Sequence, residues 1–116
     1  MSTILAVKYN IELYRRQDYI KKFTHTDPNG TPTNFTGFTF ASHIYNYERS
    51  KKYTEMSVIN SNVLTGEITM SLTDTQTTIL PDLSYYDIRV TNGTTSYYIM
   101  SGTIIAYQGY TAWPLT

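Results

Sequence analysis

No cysteine occurs among the 116 residues, so no disulfide braces the fold and no thiolate is on hand as nucleophile or metal ligand. Charge is sparse and balanced, nine Lys and Arg against nine Asp and Glu for a formal net charge of zero. That balance removes any general electrostatic pull towards nucleic acid. Long apolar runs are missing too, and none approaches the roughly 20 residues of a membrane helix. The stretch Ile4 to Val7 has no basic residue before it and is too short for a secretory core, so no signal peptide is read. Pro and Gly are few, four and six, and a chain of this length is expected to build one core. Phosphate-cradling loops are absent as well, since Asn29-Gly30 and Asn92-Gly93 are isolated turn dipeptides without repeated glycines.

What the chain has is tyrosine, twelve of them, together with many Thr and Ile, side chains that suit a pleated surface. The clearest alternation is Tyr86, Ile88 and Val90 against Asp87, Arg89 and Thr91, followed by Asn92-Gly93 and a second apolar run from Tyr97 to Ile105. This predicts a hairpin between Asp82 and Tyr107, closed by a two-residue loop with positive φ at both Asn92 and Gly93. Earlier strands are expected at Ile11 to Tyr14, at Tyr19 to Thr26 with Phe23 deepest, and at Phe38 to Ile44 extended by Tyr45 and Tyr47. Phe35 is expected under the core, a reversal at Asp27-Pro28-Asn29-Gly30, a single outer strand at Tyr53 to Ile59, and another strand at Ile68 to Leu72. Thr73-Asp74-Thr75-Gln76 has the spacing of a capping box, and Pro81 stops the short helix it starts. The sum is an all-β, immunoglobulin-like antiparallel β-sandwich of about seven strands with one short helical turn. Residues 1–9 form an N-terminal arm or edge strand, 10–108 the sandwich, and 109–116 a C-terminal docking tail. The run Asp82-Leu83-Ser84-Tyr85-Tyr86-Asp87-Ile88 resembles the D-x-G/A-x-Y-x-C stretch of immunoglobulin-like domains. It makes Tyr86 a corner tyrosine whose hydroxyl bonds backbone a few residues upstream. Ile88 stands where antibody domains have their second cysteine.

Little in the sequence carries chemistry. His25 and His43 fall on separate expected strands without metal-ligand spacing. Asp18, Asp27, Asp74, Asp82 and Asp87 mostly have turn or helix-start roles. No enzyme, cofactor or metal is expected. Arg15, Arg16, Lys21, Lys22, Arg49, Lys51 and Lys52 stand near Tyr14, Tyr19 and Tyr53, but Glu12, Asp18, Glu48 and Glu55 are interspersed. They read as solvated loops rather than a nucleic-acid surface. Tyr85-Tyr86 and Tyr97-Tyr98 each place one ring inward and one outward, so Tyr85 and either Tyr97 or Tyr98 are expected to share an exposed face. That face serves partner contact, cross-strand stabilisation or carbohydrate binding. The tail carries Tyr110 and the single Trp, Trp113, which either docks on a neighbour or folds back.

The order of short motifs resembles small β-domains of tailed-bacteriophage virions, namely the N-terminal domain of upper-baseplate proteins and stand-alone head-fibre or decoration proteins. The residues that carry the likeness are Asn10 to Tyr19, Phe23 to Pro32 with its Asp27-Pro28-Asn29-Gly30-Thr31-Pro32 turn, Phe35-Thr36-Gly37-Phe38-Thr39-Phe40, and Gly66 to Thr77 with Leu72-Thr73-Asp74-Thr75-Gln76-Thr77. Arg16-Gln17-Asp18 lacks the glycine usual in that group's first turn, and Asn34-Phe35 replaces its polar-Leu pair. The resemblance implies a virion structural protein, made in the host cytoplasm, that self-assembles and meets other virion proteins of capsid, tail or baseplate through strand edges and terminal arms. No catalytic residue carries over, and a carbohydrate-binding host-recognition module remains the alternative.

Overall fold

The computed structural model describes residues 6–62 and 64–110, without the side chains of residues 61 and 62. Along the described chain run β1 (Val7–Lys8), β2 (Ile11–Tyr14), β3 (Tyr19–Thr24), β4 (Thr39–Ala41), β5 (His43–Tyr45), β6 (Lys52–Glu55), β7 (Ser57–Asn62), β8 (Glu67–Leu72), α1 (Asp74–Thr78), β9 (Leu83–Thr91) and β10 (Ser96–Tyr107). One sheet runs β1-β10-β9-β5-β6, with β2 also on β10 and β4 also on β9, while the second is β3-β8-β7. Period-two alternation turns Ile11, Leu13, Ile44, Ile88, Val90 and Ile104 of the first sheet towards Ile68, Met70 and Leu72 of the second, all buried. These inward faces form one core, so the chain is an all-β, immunoglobulin-like sandwich with one short helix.

The hairpin of β9 and β10 is the spine of the larger sheet, but its loop is not the expected two residues. Thr91 faces Ser96, leaving Asn92 to Thr95 as a four-residue loop. Only Gly93 there takes positive φ, at 92°. The Asn92 side chain explains the longer loop, because its oxygen accepts from the backbone N–H groups of both Thr94 and Thr95 at 2.9 and 2.8 Å. A bulge between Tyr98 and Met100 then lets consecutive Ile99 and Met100 both face the core. At the end of β10, Ile104 to Tyr107 pairs in parallel with Ile11 to Tyr14.

The expected strand at Tyr53 to Ile59 is two strands. β6 pairs with β5 in the larger sheet and β7 with β8 in the smaller. Met56, buried between exposed Glu55 and Ser57, marks the crossing, with its N–H on the Ser42 carbonyl at 2.9 Å. α1 begins as the capping box predicts. Thr73 Oγ1 accepts from the Gln76 N–H, and Gln76 Oε1 accepts from the Thr73 N–H. Phe35 is buried among His25, Phe38 and Phe40. Phe23, expected to be deepest in its strand, is only partly buried because β3 lies at the edge of the smaller sheet.

The corner tyrosine forms a different contact from the expected one. Tyr86 donates to the Tyr9 carbonyl at 2.6 Å, which is distant in sequence rather than a few residues upstream. The pairing offset is the same on both sides of this point, with Lys8 opposite Ser101 and Ile11 opposite Ile104. The ladder is interrupted between β1 and β2 because Tyr86 takes the Tyr9 carbonyl and Asn10 Oδ1 accepts from Thr103 N–H. Gly102, which faces Tyr86, makes this possible, since a Cβ there would overlap the Tyr9 backbone.

Candidate binding groove and contact face

The outward side chains of β9 follow the alternation that buries its inward ones. Tyr85, Asp87 and Arg89 therefore share the outer face of the larger sheet. Facing pairs bring Ala41 beside Arg89 and Tyr45 beside Tyr85 on one side, and Tyr98 beside Arg89 on the other. Together with His43, Asn46, Tyr47 and Arg49 these residues line an open groove of about 380 Å³. Tyr85 and Tyr98, both expected on an exposed face, are brought together here. Tyr97 is not, because it faces Val90 on the inward side of the sheet and packs against Phe38 with ring centroids 6.3 Å apart. Tyr47 is 77% exposed and meets Tyr85 edge-on at 5.4 Å.

One wall of the groove is the turn between β5 and β6, and it is tightly tied. Asn46 Oδ1 accepts from the N–H groups of Ser50 and Lys51, its Nδ2 donates to Ser50 Oγ, and its carbonyl accepts from Arg49 N–H. Arg49 takes φ of 60° in this turn, one of two non-glycine residues in the left-handed region among those described. The conformation carries its guanidinium over the Tyr45 ring, 5.9 Å from the centroid. At the floor, burial pushes the Asp87 carboxyl above its ordinary value, while Arg49, His43 and Arg89 pull it back down. No described hydrogen bond ends on that carboxylate, although the Asp87 carbonyl accepts from Ser42 Oγ at 2.6 Å. His43 is also 3.6 Å from Glu55, which pairs with Lys52 at 3.0 Å.

A second exposed area lies at the end of the same face. Leu83, Ile105, Glu12, Tyr107 and Tyr14 all point outward there, with Leu83 facing Ile105, Ile105 facing Glu12 and Tyr107 facing Tyr14. Glu12 accepts a hydrogen bond from the Tyr107 hydroxyl, its charge pushing the phenol above its ordinary value. The two tyrosine rings stand 5.4 Å apart. Arg15 and Arg16 pin the backbone beneath this strip. Arg15 donates to the Leu80 carbonyl, Gln108 Oε1 and Asp82 Oδ1, while Arg16 donates to the carbonyls of Gln108 and Gly109, both at 2.8 Å. Tyr110 follows, fully exposed. Trp113 lies outside the described residues.

The basic residues counted in sequence are thus dispersed. Arg15 and Arg16 hold the end of β10, Lys21 lies over Tyr9 on β3, Lys51 lies over Tyr53, and Lys52 pairs with Glu55. Among the carboxylates, Asp18 accepts from Asp74 N–H, Asp27 closes its turn through Asn29 and Thr31, and Asp82 meets Arg15. Asp87 alone of the five sits in the groove. Buried His25 has Nδ1 2.8 Å from Thr33 Oγ1. No group of three or more metal-ligating side chains occurs among the described residues.

No family model matches the sequence, and no curated protein does either. Among solved structures, the Lin-41 filamin domain is similar with a TM-score of 0.48 and 13% identity, covering 84% of each chain. Similarity of that degree says nothing about what this chain binds.

Proposed function

We propose that this domain is a non-catalytic structural module of a tailed-bacteriophage virion, which docks on another structural protein of the particle. The observation that carries the reading is the strip at the end of the larger sheet. Leu83 is 47% and Tyr107 42% exposed, and they continue through Ile105 and Tyr14 as an apolar and aromatic strip with one carboxylate, Glu12, which faces Ile105 and accepts from the Tyr107 hydroxyl. Tyrosine and leucine on a rigid, hydrogen-bonded sheet bring contact area at small entropic cost. Arg15 and Arg16 supply the rigidity by fixing the chain on both sides of the strip. The ordered series of turn motifs, which resembles that of small virion domains, supports the same reading, as does the placement of four of the five sequence aspartates in turns, caps and an ion pair.

Mass spectrometry of purified particles tests the proposal together with the double variant Leu83→Lys, Tyr107→Lys. The native chain is expected in the particles. The variant, whose exchanged side chains face solvent in the isolated domain, is expected to keep its thermal midpoint within a few degrees and to be lost from the particles. Retention of the variant at native copy number rules out the strip as the docking surface. Absence of the native chain from particles rules out the virion role.

A further inference from the structure

We infer that the groove over Asp87 is a saccharide site, which accepts a neutral, polyhydroxylated sugar unit between the tyrosines of the outer sheet face. The inference goes beyond the structural role proposed above and does not depend on it, because the strip at Leu83 and Tyr107 is a different part of the sheet.

Charge selects the class of ligand. Asp87 lies on the floor with Arg89 on its own strand, Arg49 on the turn between β5 and β6, and His43 on β5, itself beside Glu55. An anionic ligand would meet the carboxylate on the floor, and a cationic one would meet two guanidinium groups. A ligand whose every polar group is both donor and acceptor satisfies both signs at once. Hydroxyls donate to the Asp87 oxygens and accept from Arg49 and Arg89, charge-assisted bonds stronger than those between neutral groups. The C–H faces of a sugar ring meet the aromatic walls formed by Tyr85 and Tyr98. A volume of about 380 Å³ falls at the small end of ligand sites, which suits one or two sugar units rather than a chain.

The site is also built in advance. Asn46 locks the turn through its amide, and the turn holds Arg49 at φ of 60° with its guanidinium over Tyr45. Backbone strain in a non-glycine residue persists only where its surroundings impose it, and such strain gathers at ligand sites. The contrast with the strip is chemical. The strip carries a single carboxylate, Glu12, beside its apolar and aromatic side chains, whereas the groove sets charges of both signs between aromatic rings.

The test is amide NMR of the full chain titrated with glucose, galactose, N-acetylglucosamine, lactose and cellobiose, and in parallel with inorganic phosphate and butylamine. At least one sugar is expected to give saturable shifts confined to the amides of His43, Arg49, Asp87, Arg89 and Tyr98, with affinity on the order of millimolar. Arg49→Gly removes the guanidinium while the backbone conformation suits glycine, so it is expected to hold or raise the thermal midpoint and to weaken the sugar about tenfold or more. Asp87→Ala is expected to weaken it similarly. Failure of every sugar to saturate, unchanged sugar affinity in both variants, or saturable binding of phosphate or butylamine in place of sugar would each overturn the assignment.

Discussion

At the scale of the residue, Tyr86 and Asp87 are neighbours on β9 with opposite fates. Tyr86 turns inward, and burial pushes its phenol well above the ordinary range, so its hydroxyl stays a donor to the Tyr9 carbonyl. Tyr86→Phe leaves that carbonyl without this donor and is expected to cost about 1 kcal/mol, read as a fall of several degrees in the thermal midpoint. An unchanged midpoint contradicts the bond. Asp87 turns outward into a space dry enough to raise its carboxyl above the value it has in the unfolded chain. The folded state therefore binds the proton more tightly. The stability this confers is complete below the unfolded carboxylate range and is lost as pH rises from that range through the raised folded value. Asp87→Asn lacks this loss, so urea titrations across that window should show the variant gaining on the native chain as pH rises, and a parallel pair of curves contradicts the shift. Alternation made the outward set of Tyr85, Asp87 and Arg89 legible in the sequence. Arg49 was not legible as their companion, because the left-handed φ that aims it at Tyr45 depends on the Asn46 side chain and leaves no pattern in residue spacing.

Among the elements, local signals were read correctly where one side chain sets the geometry. The capping box at Thr73 and Gln76 starts α1, and the Asp27 turn closes on Gly30 and Thr31. Failures came where distant backbone decides. Tyr53 to Ile59 reads as one strand, yet Met56 crosses between sheets, with its N–H on the Ser42 carbonyl. Likewise nothing in the first ten residues announces a parallel partner, and β1 and β2 are placed by β10. Their junction rests on Gly102. Gly102→Ala drives a methyl group into the Tyr9 backbone and is expected to cost about 1–3 kcal/mol, as forced overpacking does, with faster amide exchange at Val7 to Tyr9 than in the native chain. Native protection of those amides in the variant would show that the close approach is dispensable.

As a whole, the molecule is a sandwich whose larger sheet turns a composite face outward, with a mixed-charge aromatic groove over Asp87 and a largely apolar strip at Leu83, Ile105, Tyr107 and Tyr14 that carries the Glu12 carboxylate. The smaller sheet has a different outer face, where Ile20 and Ile59 stand among Lys22, Ser57, Thr69 and Ser71. This asymmetry suits a domain that presents one side to the structure holding it. Cryo-microscopy of the intact particle is the most direct test of that account. It predicts density for this sandwich with Leu83, Ile105, Tyr107 and Tyr14 buried against another virion protein. Particles in which the domain is present with those four side chains facing solvent in every copy, or from which it is absent, would contradict it.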